Sequence, residues 1–218
     1  MLFVWWGGYL TSCSNSSDSG SNATYIGTKA PNLAKAVGDI VFSDGSASAY
    51  TETLTDKQKT AAVAVIFDES NKLGVGLETA SGKAWCASSA NAYNVSTYAT
   101  SQSDGKANTN EITALSDYSE ANYPAFYFAA SYSATGFTSG WYLPAKTELQ
   151  ALCDAKSTVE AAFTALGKSA PFSSGNDWWS SSQYSTNAIL AHERDFASNW
   201  SSNVKYTEYC VCAVRAFN

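Results

Sequence analysis

Trp178-Trp179-Ser180-Ser181-Ser182-Gln183 is the stretch on which the fold turns: two strand-forming aromatics run into three hydroxyl residues with no helical stripe. It predicts a strand. Two more strands are expected after it, over residues 189–196 and 204–217. Upstream the pattern becomes helical. A helix starting at Pro144 places Leu149, Leu152 and Cys153 on one stripe, and Ser157-Thr158-Val159-Glu160 reads as a capping box. Val159, Ala162, Phe163 and Leu166 follow at helical spacing, with Gly167 as the stop. Asn122 is the expected cap of a helix over residues 123–130, with Pro124 tolerated in its first turn. Residues 88–117, rich in Ser, Thr, Asn and Ala, read as one long surface loop.

Further out, Gly38-Asp39-Ile40-Val41-Phe42-Ser43-Asp44-Gly45 is a short strand closed by a D-G turn. Thr55-Asp56-Lys57-Gln58 is a capping box for a brief helix. Val63-Ala64-Val65-Ile66-Phe67 is a buried strand, and Leu73-Gly74-Val75-Gly76-Leu77 returns as its hairpin partner. The alternating glycines leave one face bare, so a neighbour can approach closely. They lack the third glycine and the helix of a dinucleotide loop. A few helices within a mostly antiparallel, loop-rich set of strands predict an α+β fold.

The chain has 218 residues, enough for one domain with a tail, and 45% hydrophobic content supplies a core. Nineteen acids against 13 bases give a net charge of −6, so no basic field attracts nucleic acid. The single His excludes a His-built metal centre. Leu2-Phe3-Val4-Trp5-Trp6-Gly7-Gly8-Tyr9-Leu10 is too short to span a bilayer. It ends in Leu10-Thr11-Ser12-Cys13, which resembles the lipobox of bacterial lipoproteins, with Cys13 as the lipidated residue. The expected organisation is a signal-like segment over 1–13, a flexible Ser/Asn-rich tether over 14–30 and one domain over 31–218. Cys86, Cys153, Cys210 and Cys212 then remain, an even number with no disulfide ladder in their spacing.

Catalytic machinery is not legible. His192 lies in His192-Glu193-Arg194-Asp195, where His192 and Arg194 share one strand face and Glu193 and Asp195 the other. No G-x-S-x-G or Ser-x-x-Lys supplies a nucleophile, and Cys210 and Cys212 lack a second Cys/His pair for zinc. Ile189-Leu190-Ala191-His192-Glu193-Arg194-Asp195 mixes apolar, basic and acidic residues without clean alternation. Trp200, Val204, Tyr206, Glu208, Cys210 and Cys212 all fall on even positions, so an extended segment puts side chains of every kind on one face. Such a face, holding Trp and Tyr, predicts a binding surface.

Four blocks carry a family resemblance: Gly38-Asp39-Ile40-Val41-Phe42-Ser43-Asp44-Gly45, Gly140-Trp141-Tyr142-Leu143-Pro144, Trp179-Ser180-Ser181-Ser182-Gln183-Tyr184-Ser185 and Ala213-Val214-Arg215-Ala216-Phe217. Over residues 37–217 the chain resembles the treponemal variable lipoproteins, the targets of diversity-generating retroelements. Their fold is similar to C-type lectins and to the formylglycine-generating enzyme. The resemblance implies a C-type lectin-like domain of that enzyme's subtype, with a variable C-terminal region over about 178–217. It further implies a lipid-anchored protein of the bacterial outer membrane, displayed on the cell surface as a monomer. Such a protein binds a protein or other surface molecule without catalysis or cofactor. The calcium-type lectin signature is missing, and Asn176-Asp177 alone assigns no metal.

Adenine mutagenesis in that family sharpens the site. Asn codons of the form AAY yield Ile, Leu, Ala, His, Arg, Ser, Val, Tyr or Cys, but never Trp, Glu or Lys. The expected variable, ligand-facing residues are therefore Ile189, Leu190, Ala191, His192, Arg194, Ser198, Val204, Tyr206 and Cys210, with Trp200 as an aromatic anchor. Trp200, Glu193, Lys205 and Glu208 are constant or descend from codons ending in a purine. Two other readings remain open: a thiol oxidase related to the formylglycine-generating type, using Cys210 and Cys212, and a plain carbohydrate lectin.

Overall fold

The computed structural model describes residues 24–172, 175–197 and 199–218. Their elements run β1 (Ile40–Phe42), β2 (Ala47–Ser48), α1 (Asp56–Ala61), β3 (Ala62–Asp68), β4 (Leu73–Ala84), α2 (Gly105–Thr113), α3 (Pro124–Ala130), α4 (Lys146–Asp154), α5 (Lys156–Ala165), β5 (Asp177–Gln183), β6 (Leu190–Asp195), β7 (Trp200–Val204) and β8 (Glu208–Ala216). The strands form an eight-stranded sheet in the order β2-β1-β3-β4-β8-β5-β6-β7. All its pairs are antiparallel except a brief parallel contact of β5 with β8 at Trp178 and Cys210. The chain is thus an α+β protein.

Both faces of the sheet are covered, which is why β3 reads as an unbroken apolar run. On one face Ala64 and Ile66 pack with Ile112 of α2 and with Ala125, Phe126 and Ala129 of α3. On the other, Val65 and Phe67 pack with Leu149 and Leu152 of α4 and with Val159, Ala162 and Phe163 of α5. The capping box of α1 forms as expected, Thr55 Oγ1 accepting from Gln58 N at 3.2 Å while Gln58 Oε1 accepts from Thr55 N at 2.9 Å. The bare glycine face of β4 is filled by rings: a Cβ on Gly74 lies 2.8 Å from the Phe217 ring, and one on Gly76 lies 2.6 Å from Tyr132. Gly76→Ala is therefore expected to lower stability by about 1–3 kcal/mol through overpacking. A urea titration showing an unchanged midpoint contradicts this.

Four expectations are corrected. Residues 88–117 are not one loop but hold α2, whose buried face is Gly105, Asn108, Thr109 and Ile112. That face carries one apolar side chain, so hydrophobic periodicity does not reveal it. Its burial rests on hydrogen bonds: Asn108 Nδ2 donates to Ser101 O at 2.8 Å and Ser181 Oγ at 3.0 Å, and Leu143 N donates to Thr109 Oγ1 at 3.2 Å. Next, α5 starts before Ser157, since Ala155 ends α4 and begins α5 with no room for a capping turn. The residue capping α3 is Tyr123, while Asn122 Nδ2 turns to Asp117 O at 2.8 Å. Lastly, residues 204–217 are two strands, because the chain turns at 205–207, with Thr207 N donating to Val204 O at 2.8 Å.

The expected tether is also shorter at its inner end. Residues 26–29 join the sheet's β2 edge: Ile26 N donates to Asp44 Oδ2, Gly27 N to Ser46 Oγ and Lys29 N to the Ala47 carbonyl, each at 2.8 Å. Polar side chains hold this segment, so its composition resembles a linker. The signal-like segment with Cys13 lies outside the described residues, and among those described no helix is long and apolar enough to cross a membrane.

Candidate ligand-binding face

Three of the four blocks that carry the resemblance are joined by backbone hydrogen bonds, while the first, on β1, shares only the two apolar cores with them. Tyr142 and Val214 exchange backbone hydrogen bonds, each at 3.0 Å, and Ser181 N donates to the Pro144 carbonyl at 2.8 Å. Ser180, Ser181 and Ser182 are wholly buried. Their hydroxyls bind scaffold: Ser180 Oγ donates to His192 O at 2.9 Å, Ser182 Oγ to Ser101 O at 2.7 Å, and Ser181 Oγ accepts from Asn108. The Trp178-to-Gln183 stretch therefore forms a polar spine within the core. None of its hydroxyls is displayed.

β6 and β7, the last two strands of the sheet, pair in the register Leu190↔Val204, His192↔Ser202 and Arg194↔Trp200. Residues opposite one another share a face, so Leu190, His192, Arg194, Trp200, Ser202 and Val204 lie together. This face meets α4. Gln150 Oε1 accepts from Trp200 Nε1 at 2.8 Å and also from Arg194 Nη1. The Trp200 indole lies between cations, with Lys146 Nζ 5.3 Å and Arg194 Cζ 5.5 Å from its centroid, within cation–π range. His192 meets the ring edge-on at 6.2 Å and Tyr184 at 5.2 Å. Burial, then the nearby Lys146 charge, lowers the His192 pKa below the ordinary histidine range. Among the described residues none of these three bases makes an ion pair. The result is a half-buried aromatic ring framed by positive charge.

The other expected positions separate. Ala191 falls on the opposite face, fully buried against the first core, and touches no solvent in this conformation. Ile189 precedes β6 and is half-buried, its carbonyl accepting from Lys205 N at 3.0 Å. Tyr206 sits in the β7–β8 turn, 55% exposed and stacked on Tyr93 at 6.0 Å. Ser198 lies outside the described residues. Cys210 and Cys212 share the second core on one face of β8 as free thiols. Burial raises both thiol pKa values, Cys212 to about 12. A single even-numbered face from Trp200 to Cys212 does not exist, because the turn at 205–207 interrupts it.

Sequence reading missed Lys146 and Gln150. They stand four apart on α4, so their i,i+4 spacing is the signal that places them on one helix face. Of the residues that AAY codons cannot supply, Lys205 is wholly buried and Glu193 nearly so, whereas Glu208 is exposed. Among the described residues no cluster of three or more His, Cys, Asp or Glu side chains is placed to hold a metal.

No family profile matches the sequence, and no curated protein matches it. Among solved structures, a fimbrial protein from Bacteroides ovatus superposes with a TM-score of 0.62 at 17% identity, over 83% of this chain and 48% of that one. The chain thus spans about half the length of that neighbour. The likeness is one of fold.

Proposed function

We propose that the chain is a non-catalytic, surface-displayed ligand-binding lipoprotein with a C-type lectin-like domain, whose β6–β7 region is diversified by retroelement mutagenesis. Trp200 is its anchor, and Leu190, Arg194 and Val204 vary around it, whereas His192, expected to vary with them, is only 8% exposed beside the ring. The observation that carries this reading is the division of labour within residues 178–217. The Ser180-Ser181-Ser182 hydroxyls are buried in scaffold hydrogen bonds, while the chemically mixed residues group on the outermost pair of strands. A diversified protein needs that separation, because a variable side chain inside the core costs stability with most substitutions.

A surface location agrees with the fold shared with a fimbrial protein, and the Leu10-Thr11-Ser12-Cys13 motif supplies a lipid anchor. The ligand is a protein or other surface molecule, met by a monomer without a cofactor. Ile189, Tyr206 and Cys210, which lie before β6, in the β7–β8 turn and on β8, are secondary variable positions outside that face. Against the thiol oxidase reading stand the burial of Cys212 and the raised pKa of both thiols, since the thiolate is the reactive form.

Sequencing the DNA around the gene tests the proposal. The expected result is a near-copy of its 3′ end beside a reverse transcriptase gene, differing almost only at adenines within the codons for residues 189–210. A copy whose adenines fall in the codons for residues 179–181 or 214–217 overturns the division between scaffold and variable face, and a locus with no copy overturns the diversification.

A further inference from the structure

A cavity of about 430 Å³ lies between the loop preceding β1 and the end of β8, walled by Lys35, Asp44, Phe137, Arg215 and Phe217. A smaller recess of about 210 Å³ shares Lys35 and Phe217 with it and adds Lys72 and Glu69. None of these residues belongs to β5, β6 or β7. We propose that this cavity is a second binding site, for a small organic carboxylate with an apolar body, the carboxylate held by Arg215 and Lys35 and the body lying on Phe137 and Phe217.

Arg215 is built in rather than draped on the surface. Its guanidinium carbon lies 5.1 Å from the Phe137 centroid and 6.0 Å from that of Phe217. Gly140, at φ +80°, leaves the space that Nη1 occupies, since a Cβ there stands 2.5 Å away. Arg215 Nε is buried with no hydrogen-bond partner. Lys35 is only 7% exposed, and its Nζ donates to the Pro31 carbonyl at 2.8 Å, with the Leu33 carbonyl at 3.5 Å. Neither side chain forms an ion pair among the described residues.

Two acids near the cavity, Asp44 and Asp39, are already engaged. Asp44 accepts from Ile26 N, Ser46 N and Ser46 Oγ, and Asp39 is bound by Lys29 at 2.5 Å and by Ala36 N at 2.8 Å. Glu69 and Lys72 both line the adjoining recess, and no ion pair joins them among the described residues. Arg215 and Lys35, half and almost wholly withdrawn from water, have no carboxylate in ion-pair contact among the described residues, although the Asp39 charge acts on Lys35, and an incoming planar anion offsets the cost of their burial through charge-assisted, fork-like hydrogen bonds. Burial lowers the pKa of both Lys35 and Arg215, in keeping with that loss of solvent. The volume suits a small molecule, and the two aromatic walls favour an apolar body beside the charged end.

The test is an NMR titration of the isotope-labelled full chain with sodium phenylacetate, compared with 2-phenylethanol and with inorganic phosphate. The expected result is saturable one-to-one binding of phenylacetate that shifts the Arg215 Nε–H signal and the amides of Lys35 and Phe217, with affinity at least about tenfold weaker in Lys35→Gln and in Arg215→Gln. If Arg215→Gln does not fold, Lys35→Gln and the wild-type shift map decide the matter. Four outcomes overturn the proposal: no saturable shift, shifts centred on Lys146, Arg194 and Trp200 instead, an equal response to 2-phenylethanol, or an equal response to phosphate.

Discussion

Lys205→Ala is expected to lower the stability of the chain by about 3–4 kcal/mol, or roughly 6–16 °C in melting temperature for a domain of this size. Lys205 is a wholly buried cation with no acidic partner among the described residues. Its ammonium donates to Ala92 O at 2.8 Å, Gln183 Oε1 at 2.6 Å and Tyr93 O at 3.4 Å, and stands 4.4 Å from the Trp85 centroid. Those contacts tie the β7–β8 turn to the loop around Ala92 and to the end of β5. Burial lowers its pKa to about 8, so it stays mostly protonated at neutral pH. Truncation leaves buried acceptors unpaired, opens a cavity the length of the lysine stem and removes the cation–π contact. Lys205→Met, which keeps most of the stem, is expected to lose less, and Lys106→Ala on the exposed face of α2 within about 0.5 kcal/mol. Chemical denaturation in which Lys205→Ala loses under 1 kcal/mol removes Lys205 as the anchor of the turn.

The second large effect is a pH dependence centred on Glu193. This carboxyl is 4% exposed, and burial, followed by the neighbouring Asp177 charge, raises its pKa from 4.5 to about 7, against a lowering hydrogen bond from Ser201. Asp195 adds to the rise, and Tyr209 beside it is itself raised by burial and then by the Glu193 charge. The folded chain therefore holds this proton to about pH 7 while the unfolded chain releases it near 4.5. Stability from Glu193 is fully present below about pH 4.5 and is lost as pH rises through 7. At about 1.4 kcal/mol per pKa unit, the loss is on the order of 2 kcal/mol after allowance for water reaching the site through exposed Ser201. Glu193→Gln is expected to abolish it: measured by urea unfolding, the variant gains about 2 kcal/mol on the wild type between pH 5 and pH 8. His192 acts in the opposite sense, its lowered pKa giving stability that is lost as pH falls, and it is common to both chains. An equal stability difference at the two pH values rules out the raised carboxyl.

Lys205 and Glu193 also mark where sequence reading of the site stops. Each stands in the stretch whose mixed chemistry predicts a binding surface, yet Lys205 is drawn inward by Ala92 and Gln183, far away in sequence, and Glu193 is buried although the Asp177 charge opposes its ionisation. The face around Trp200 is half legible. His192 and Arg194 sharing one face follows from the two-residue period of a strand, and the structure adds Trp200 to that face through the Arg194↔Trp200 pairing. What a strand period does not give is the helix that packs on the face, so Lys146 and Gln150 were missed. Ala191 shows the converse limit: its codon class admits variation, but its position in the pleat turns it into the first core.

Local chemistry by itself determined the elements whose signals are short-range: the Thr55 capping box, the buried run of β3, the bare glycine face of β4, the apolar stripes of α4 and α5, and the strand at Trp178-Trp179-Ser180-Ser181-Ser182-Gln183. From these the α+β class follows. Apart from the β3–β4 hairpin, only the tertiary structure decided which strands neighbour one another, that α2 exists on a buried face made of Asn108 and Thr109, and that residues 204–217 break in two. In the last two cases a buried polar group is satisfied by a partner between about seven and 113 residues away. Hydrophobic periodicity records which face leaves water, whereas a buried hydrogen bond leaves no periodic trace in either of the segments it joins.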